Sequence, residues 1–135
     1  MIKILLCCGG GFSSSYVANR VKKEIEDYHM EQEVYIEFSP FSLMLEKYKQ
    51  FDIVVCCPHL NIYVKQLLEK QKLDIPIYIL PPRMYGNMKL KEIYQDAKDL
   101  LDIYAQTKMN PVHFPSEDNV LKITRDKAYK NGFEK

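Results

Sequence analysis

Residues 8–15 combine a thiol, three glycines and three hydroxyls in one short segment, Cys8-Gly9-Gly10-Gly11-Phe12-Ser13-Ser14-Ser15. Glycines allow a tight turn in which several backbone N–H groups converge, and the serines supply further hydrogen-bond donors. A helix that begins at the serines points the positive end of its dipole at the same place. The pattern predicts a cradle for a phosphate-like anion, in which the helix terminus favours the thiolate of Cys8 and makes it a nucleophile.

A nucleophilic cysteine in a phosphate-binding loop can hydrolyse phosphoesters, or it can accept a phosphoryl group and pass it on. Low-molecular-weight tyrosine phosphatases have an arginine six positions after the cysteine, where it holds the phosphoryl oxygens in the transition state. This chain has Ser14 at that position and no evident Asp-Pro general acid. The segment therefore resembles a low-molecular-weight-phosphatase-like phosphate loop but favours a phosphoryl carrier. A small cysteine-dependent phosphatase or an arsenate-reductase-like enzyme is the alternative.

Short apolar runs alternate with helical patterns along the chain, which is typical of an α/β fold with helices packed on a parallel sheet. The apolar runs predict strands at residues 2–7, 34–38, 53–56 and 75–80, the last toward an edge because Pro76 cannot donate to a ladder. Helices are expected after residues 13, 40, 58 and 89, and residues 81–86, with their two prolines, are expected to form a loop. The apolar positions of the second helix are Leu43, Leu45 and Tyr48. Ligands of such sheets bind at the carboxyl ends of the strands, where residues 8–15 would lie.

Length and composition restrict the function classes. The chain has 135 residues, which suits one compact domain plus at most a tail. Nineteen basic and eighteen acidic residues give a formal net charge of +1, so no overall positive field exists to hold nucleic acid. No apolar run near the N-terminus is long enough for a signal peptide or a membrane span, and we expect a cytoplasmic protein without direct membrane insertion. The four cysteines, in two adjacent pairs, are then expected to be reduced thiols.

Residues 3–15 resemble the phosphorylation loop of the cytoplasmic IIB component of the lactose/cellobiose (diacetylchitobiose) family of the bacterial sugar phosphotransferase system. That family has a cysteine, two small residues, Gly, Met, Ser, Thr or Ser, and Ser, and Gly11, Ser13 and Ser15 fall on its glycine and serines. Two later segments agree in order. Residues 54–59 fall where the family has an apolar strand followed by Gly-Pro-Gln, and residues 84–86 match its apolar-Tyr-Gly.

The resemblance implies a single domain with a four-stranded parallel sheet in the order 2-1-3-4, flanked by helices on both faces. It also implies that Cys8 is the catalytic residue, phosphorylated by the phosphohistidine of a IIA partner, and that the phosphoryl group goes to a sugar held by the membrane IIC permease. No cofactor and no metal are expected. The phosphate-binding residues would be Gly9, Gly10, Gly11, Phe12, Ser13, Ser14 and Ser15. Residues at the periphery of the site would be Cys57, Pro58, His59 and Tyr85.

Several of these residues could have other roles. If strands 1 and 3 are neighbours, Cys57 and His59 come near Cys8, which allows a zinc site or a redox-active Cys8–Cys57 pair. Zinc is disfavoured because adjacent cysteines of a strand project to opposite faces. His59 could instead cap a helix, Tyr85 could pack over a glycine turn, and Cys8 could be a buried strand-end thiol. A regulatory module that has kept the IIB fold is a further interpretation.

The chain divides at about residue 107. Residues 1–107 are expected to form the phosphotransferase IIB-like domain. Beyond them, Pro111 and Pro115 interrupt the helical pattern, while Val120, Leu121 and Ile123 are apolar enough to need cover. We therefore expect residues 108–135 to be a C-terminal extension that is partly ordered or docked on the domain.

Overall fold

A parallel sheet forms the centre of the protein. The computed structural model describes residues 1–8, 13–87, 89–115, 117, 123 and 128–129. Within these residues the strands form one sheet in the order β2-β1-β3-β4, so the predicted order is confirmed. The strands are β1 (Ile2–Cys8), β2 (Val34–Pro40), β3 (Ile53–Cys56) and β4 (Ile77–Ile79).

The central strand β1 is buried because it has a neighbour on each side and cover on both faces. It pairs with β2 along its whole length and with β3 over residues 4–7. Ile4, Leu5, Leu6 and Cys7 are at most 1% exposed. An uninterrupted apolar run is what a strand in this position requires, which is why the sequence predicts it well.

Three long helices cover the sheet: α1 (Ser13–Asp27), α3 (Asn61–Lys70) and α5 (Leu90–Thr107). The connections β1–α1–β2 and β3–α3–β4 run in opposite directions across the sheet, and right-handed crossovers therefore put α1 and α3 on opposite faces. The side chain of Glu24 in α1 accepts a hydrogen bond of 3.1 Å from the backbone N–H of Leu90, which holds the start of α5 against α1. No helix among the described residues is both long and apolar enough to cross a membrane.

The segment after β2 differs from the single helix predicted for it. A 3-10 turn (Phe41–Leu43) leads into the one-turn helix α2 (Met44–Lys47), which a second 3-10 turn (Tyr48–Gln50) follows. Met44 is fully buried, whereas Leu43 and Leu45 are 38% and 43% exposed, so the prediction was wrong for these two positions. The third predicted position, Tyr48, is partly buried against the core. A 3-10 turn has about three residues per turn, and it rotates the following side chains away from the directions that an α-helix gives them.

Residues 81–86 are also not the loop that two prolines predicted. They fall largely in the short helix α4 (Pro82–Asn87), whose first turn is closed by a 3.0 Å hydrogen bond from the N–H of Tyr85 to the carbonyl of Pro81. Pro82 is the first residue of this helix, where its missing N–H removes no bond and its fixed φ suits the helix. The double proline therefore starts a helix here.

Residues 110–112 lie along the outer edge of β4. Val112 forms an isolated parallel bridge with Tyr78, and its N–H donates to the carbonyl of Ile77 at 2.8 Å. The Asn110 side chain accepts from the N–H of Ile77 at 2.9 Å and donates to the carbonyl of Ile75 at 2.8 Å. β4 is the last of the named strands, as Pro76 indicated, and these contacts satisfy backbone groups that an edge strand leaves open.

A buried carboxyl group joins α5, β4 and residues near the C-terminus. Asp96 has no exposed surface; one oxygen accepts from the Tyr78 hydroxyl at 2.7 Å and the other from the backbone N–H of Tyr129 at 2.8 Å. The ring of Phe114 stacks on that of Tyr129 at 4.5 Å and meets that of Tyr78 edge-on at 6.4 Å. We call these four residues the Asp96 cluster.

Substitution Glu24→Ala is expected to lower the free energy of unfolding by about 1 kcal/mol, because it leaves the first N–H of α5 without its acceptor. Glu26→Ala is the matched control, since this glutamate is exposed in the same helix and the change in helix propensity is equal. Urea unfolding followed by circular dichroism measures both. Equal losses in the two variants would show that the Glu24–Leu90 bond contributes nothing.

Candidate functional site

The strand ends meet at one edge of the sheet, which we call the carboxyl edge. It is formed by Cys8, Pro40, Cys56 and Ile79, the last residues of β1 to β4. The register pairs Cys8 with Pro40 and Cys7 with Cys56, so the first three strands end at nearly the same level. Loops and helix starts gather at such an edge, and it is where open parallel sheets bind ligands.

A crevice between β1 and β3 follows from the order of the strands. The chain leaves β1 toward β2 on one side, whereas it leaves β3 toward β4 on the other. The two connections diverge at this point, and ligands of open α/β sheets bind where they diverge. The residues that border the crevice at the carboxyl edge are Cys8 from β1 and Cys57, which directly follows β3.

The predicted phosphate loop starts at this crevice. The backbone of Cys8 ends β1, and the backbones of Ser13, Ser14 and Ser15 form the first turn of α1. The intervening Gly9, Gly10, Gly11 and Phe12 lie outside the described residues. The connection from the end of β1 to the start of α1 therefore spans four residues at the carboxyl edge.

Cys57 lies against the last peptide of β1. Its backbone N–H and its thiol both donate to the carbonyl oxygen of Cys7, at 3.1 and 3.2 Å, and its side chain has no exposed surface. A 3-10 turn (Pro58–Leu60) follows, and the N–H of Leu60 donates to the carbonyl of Cys57 at 3.0 Å. This turn leaves His59 exposed at the carboxyl edge.

Tyr85 of α4 lies next to His59. Their ring centroids are 6.0 Å apart with an edge-to-face angle of 71°, a favourable arrangement for two aromatic rings. Tyr85 is half-buried, and the neighbouring Met84 anchors α4 in the core at 1% exposure. The structure thus brings together Cys57, Pro58, His59 and Tyr85, which the sequence places in two distant segments.

Exposed apolar side chains lie on both sides of the carboxyl edge. Leu43 and Leu45 follow the end of β2, while Ile62 and Tyr63, 65% and 58% exposed, belong to the first turn of α3. Sequence reasoning missed Ile62, and it gave Leu43 and Leu45 to a helix as its apolar positions. A 3-10 turn contains Leu43, and another ends just before Ile62; apolar periodicity does not predict such turns, so it could not show that these side chains point outward.

The charges around the edge favour an anion. Neither α1 nor α3 has an acidic side chain in its first turn, so no carboxylate opposes the positive ends of these helix dipoles. Among the described side chains, no three His, Cys, Asp or Glu residues lie close enough together to hold a metal ion.

The chain is similar to known proteins. The family model described as the lactose/cellobiose-specific IIB subunit of the PTS system matches residues 3–96. The solution structure of the cellobiose-specific phosphotransferase IIB component protein from Borrelia burgdorferi has a TM-score of 0.60 at 29% identity, over 76% of this chain and 93% of that one. The lactose-specific IIB component domain from Streptococcus pneumoniae has a TM-score of 0.48 at 15% identity, over 80% and 98% of the two chains. A search of curated proteins gave no match.

The family match supports phosphoryl transfer in the sugar phosphotransferase system over the phosphatase that the loop alone left open. It extends from the second residue of β1 into α5 and so includes the whole sheet with its carboxyl edge. It ends at residue 96, within α5. Because the match spans more than half of the 135 residues, this chain belongs to the lactose/cellobiose-specific IIB family and is a phosphotransferase component of the sugar phosphotransferase system.

Proposed function

We propose that Cys8 is the phosphoryl acceptor of this IIB component. It would take the phosphoryl group from a phosphohistidine of a IIA partner and deliver it to a sugar bound by a membrane IIC permease. The observation that carries the proposal is the position of the Cys8 backbone: it ends the central strand at the crevice between β1 and β3, four residues before α1 begins. A cytoplasmic location is part of the proposal.

The chemistry consists of two successive transfers. In the first, the sulfur–phosphorus bond forms at Cys8 as the nitrogen–phosphorus bond of the donor histidine breaks, and the thiol proton leaves to the imidazole or to water. In the second, a sugar hydroxyl oxygen attacks phosphorus, loses its proton and releases the Cys8 thiolate. Both transfers have a loose transition state whose negative charge lies on the phosphoryl oxygens. Backbone N–H groups of residues 9–15 and the serine hydroxyls are proposed to hold that charge.

Four further residues are proposed to border the phosphoryl group or the incoming partner: Cys57, Pro58, His59 and Tyr85. Support comes from the 6.0 Å contact between the His59 and Tyr85 rings, which adds a rigid wall to the carboxyl edge. The exposed apolar side chains on either side of this edge suit contact with proteins, which a carrier must make twice.

The sugar is proposed to be a β-linked disaccharide such as cellobiose, lactose or chitobiose. The family description and the cellobiose-specific relative from Borrelia burgdorferi support this class.

The domain organisation is a proposal of its own: residues 1–107 form the phosphotransferase domain, and residues 108–135 form a C-terminal extension that is partly ordered or docked on it. Support comes from the bridge between Val112 and Tyr78 and from the Asp96 cluster. Phe114 of this segment is only 3% exposed, so its ring is covered much as a core residue is.

The test is intact-mass analysis of the reduced protein with phosphoenolpyruvate, the general phosphotransferase proteins and a IIA protein that carries phosphohistidine. We expect one added phosphoryl group, located on the tryptic peptide of residues 4–20, which contains Cys8. Membranes that contain a matching IIC permease and its disaccharide should then remove the group and release sugar phosphate. No incorporation from a fully phosphorylated IIA protein would exclude the carrier function.

A further inference from the structure

Cys57 has a sulfur atom close to the proposed acceptor residue. Its thiol donates a hydrogen bond of 3.2 Å to the carbonyl oxygen of the peptide that joins Cys7 to Cys8. Its N–H donates to the same oxygen at 3.1 Å, which extends the ladder between β1 and β3 by one residue. A backbone and a side-chain hydrogen bond therefore fix Cys57 opposite Cys8.

The distances suit a disulfide between these two residues. In a trans peptide the carbonyl oxygen lies about 2.8 Å from the next Cα, so the Cys57 sulfur is within about 6 Å of the Cys8 Cα. Adjacent strands lie about 4.8 Å apart, and disulfides join Cα atoms that are about 4.4–6.8 Å apart. The backbone spacing at this register falls inside that range.

We propose that Cys57 is a resolving cysteine for Cys8, which makes the phosphoryl-acceptor site a peroxide-sensitive modification site. A peroxide oxidises the Cys8 thiolate to a sulfenic acid, and its O–O bond is reduced to give one water or alcohol. The Cys57 thiol then attacks the sulfenic sulfur, the S–S bond forms, and a second water leaves. Two thiols and one peroxide thus give one disulfide. This inference rests on the proposed function for the role of Cys8 as the nucleophile.

The other two cysteines are less suited to this role. Cys56 is paired with Cys7, one residue further from the edge, and both are fully buried. A bridge between the consecutive residues Cys7 and Cys8 requires β1 to leave its extended conformation and break the ladders on both sides. Cys57 meets neither obstacle, and its own burial means that peroxide from solvent is not expected to oxidise it first.

The disulfide has a defined effect on phosphoryl transfer. A bridged Cys8 has no thiolate and accepts no phosphoryl group until a thiol reductant restores it. A bridged Cys8 is also protected from further oxidation to the sulfinic and sulfonic acids, which thiols do not reverse. The pairing therefore replaces permanent loss of the acceptor with reversible loss.

The experiment treats the reduced full chain with hydrogen peroxide, alkylates the remaining thiols and measures intact mass without reductant. We expect a species that has lost two hydrogen atoms, in which tryptic peptide 4–20 is linked to peptide 50–65 through Cys8 and Cys57. Fragmentation of the linked peptides assigns the two sulfurs. Dithiothreitol should return phosphoryl acceptance to the level of the untreated protein.

Two variants sharpen the result. Cys57→Ser keeps a donor for the Cys7 carbonyl but has no sulfur, so we expect oxygen adducts on Cys8 instead of the bridge. Dithiothreitol should then restore a smaller fraction of this variant's own untreated acceptance than in the wild type, because thiols reduce a sulfenic acid but not the sulfinic and sulfonic acids. Cys56→Ala removes the neighbouring buried thiol and should leave the bridge in place. Oxygen adducts without a bridge in the wild type, or a bridge through Cys7 or Cys56, would overturn the inference.

The mass readout separates this inference from the proposed function, because it needs no phosphoryl donor. A bridge in a protein that accepts no phosphoryl group under reductant would remove the proposed function and leave the pairing. Phosphorylation under reductant without any bridge after peroxide would remove the pairing and leave the proposed function. The wild-type peptide map decides the pairing even if the Cys57 variant fails to fold.

Discussion

Substitution Cys8→Ser is expected to reduce phosphoryl acceptance from a IIA phosphohistidine by at least about 10³-fold, to the background of the assay. A serine hydroxyl is ionised far less than a thiol near neutral pH, so it is a much weaker nucleophile toward phosphorus. Intact-mass analysis of the reduced protein after timed exposure to the phosphorylated donor measures the loss.

The matched control is Cys7→Ala, which removes the adjacent thiol and tests the assignment of the acceptor to position 8. Cys7 is fully buried in β1, and we expect the variant to lose about 1 kcal/mol of stability while it keeps phosphoryl acceptance. Circular dichroism should confirm that both variants are folded. Loss of acceptance in a folded Cys7→Ala protein, with acceptance retained in Cys8→Ser, would move the acceptor to Cys7.

Substitution Asp96→Ala is expected to lower the free energy of unfolding by about 3 kcal/mol, the largest stability effect that we predict. The change removes the acceptor of two donors: the buried hydroxyl of Tyr78, which is 2% exposed, and the partly buried N–H of Tyr129. Asp96→Asn keeps one acceptor oxygen but turns an amide nitrogen toward the second donor. We therefore expect it to lower the free energy of unfolding by about half as much as Asp96→Ala. Urea unfolding measures these differences.

The control for Asp96 is Asp102→Ala, an exposed aspartate of the same helix, for which we expect a change within about 0.5 kcal/mol. A double-mutant cycle with Tyr78→Phe isolates the bond between the hydroxyl and the carboxyl group, and we expect a coupling of about 1 kcal/mol or more. If Asp96→Ala were as stable as Asp102→Ala, the contacts of Asp96 would not stabilise the fold, and the proposed docking of the extension would lose its main support.

The sheet was predictable because each strand has an unambiguous chemical pattern. The run at residues 4–7 has no alternation, and the structure buries it from both faces in the centre of the sheet. Pro76 predicted that the fourth strand lies at the end of the strand order, and it does. These predictions depend on local residue types and on rules for parallel sheets, and both are visible in a single sequence.

The errors came where the backbone departs from the regular α-helical period. Met44 is the buried residue after β2 because a 3-10 turn precedes it, and Pro82 starts a helix although two adjacent prolines usually mark a loop. The burial of Asp96 was not predicted, because an aspartate in a helix is usually exposed. Its position three residues after Ile93 and four before Leu100 places it on the buried face, and one of its partners, the N–H of Tyr129, lies 33 residues further along the chain.

The residues that lie near the end of β1 were predictable in part from the order of the strands, and their contacts were less so. The order of the strands brings Cys57 and His59 to the carboxyl edge near Cys8, as the sequence indicated for neighbouring strands 1 and 3. The hydrogen bond from the Cys57 thiol to the Cys7 carbonyl depends on a side-chain rotamer, which residue spacing does not specify. The contact between His59 and Tyr85 depends on α4, which the sequence did not predict.

Because β1 is paired with a strand on each side, moving it between the unphosphorylated and the phosphorylated state of a carrier would be costly. The strand cannot shift along its axis without breaking ladder bonds to β2 and to β3 at once. The backbone of Cys8 is therefore expected to hold one position in the thiol and the phosphothiol forms, and the donor and the permease would meet the same framework.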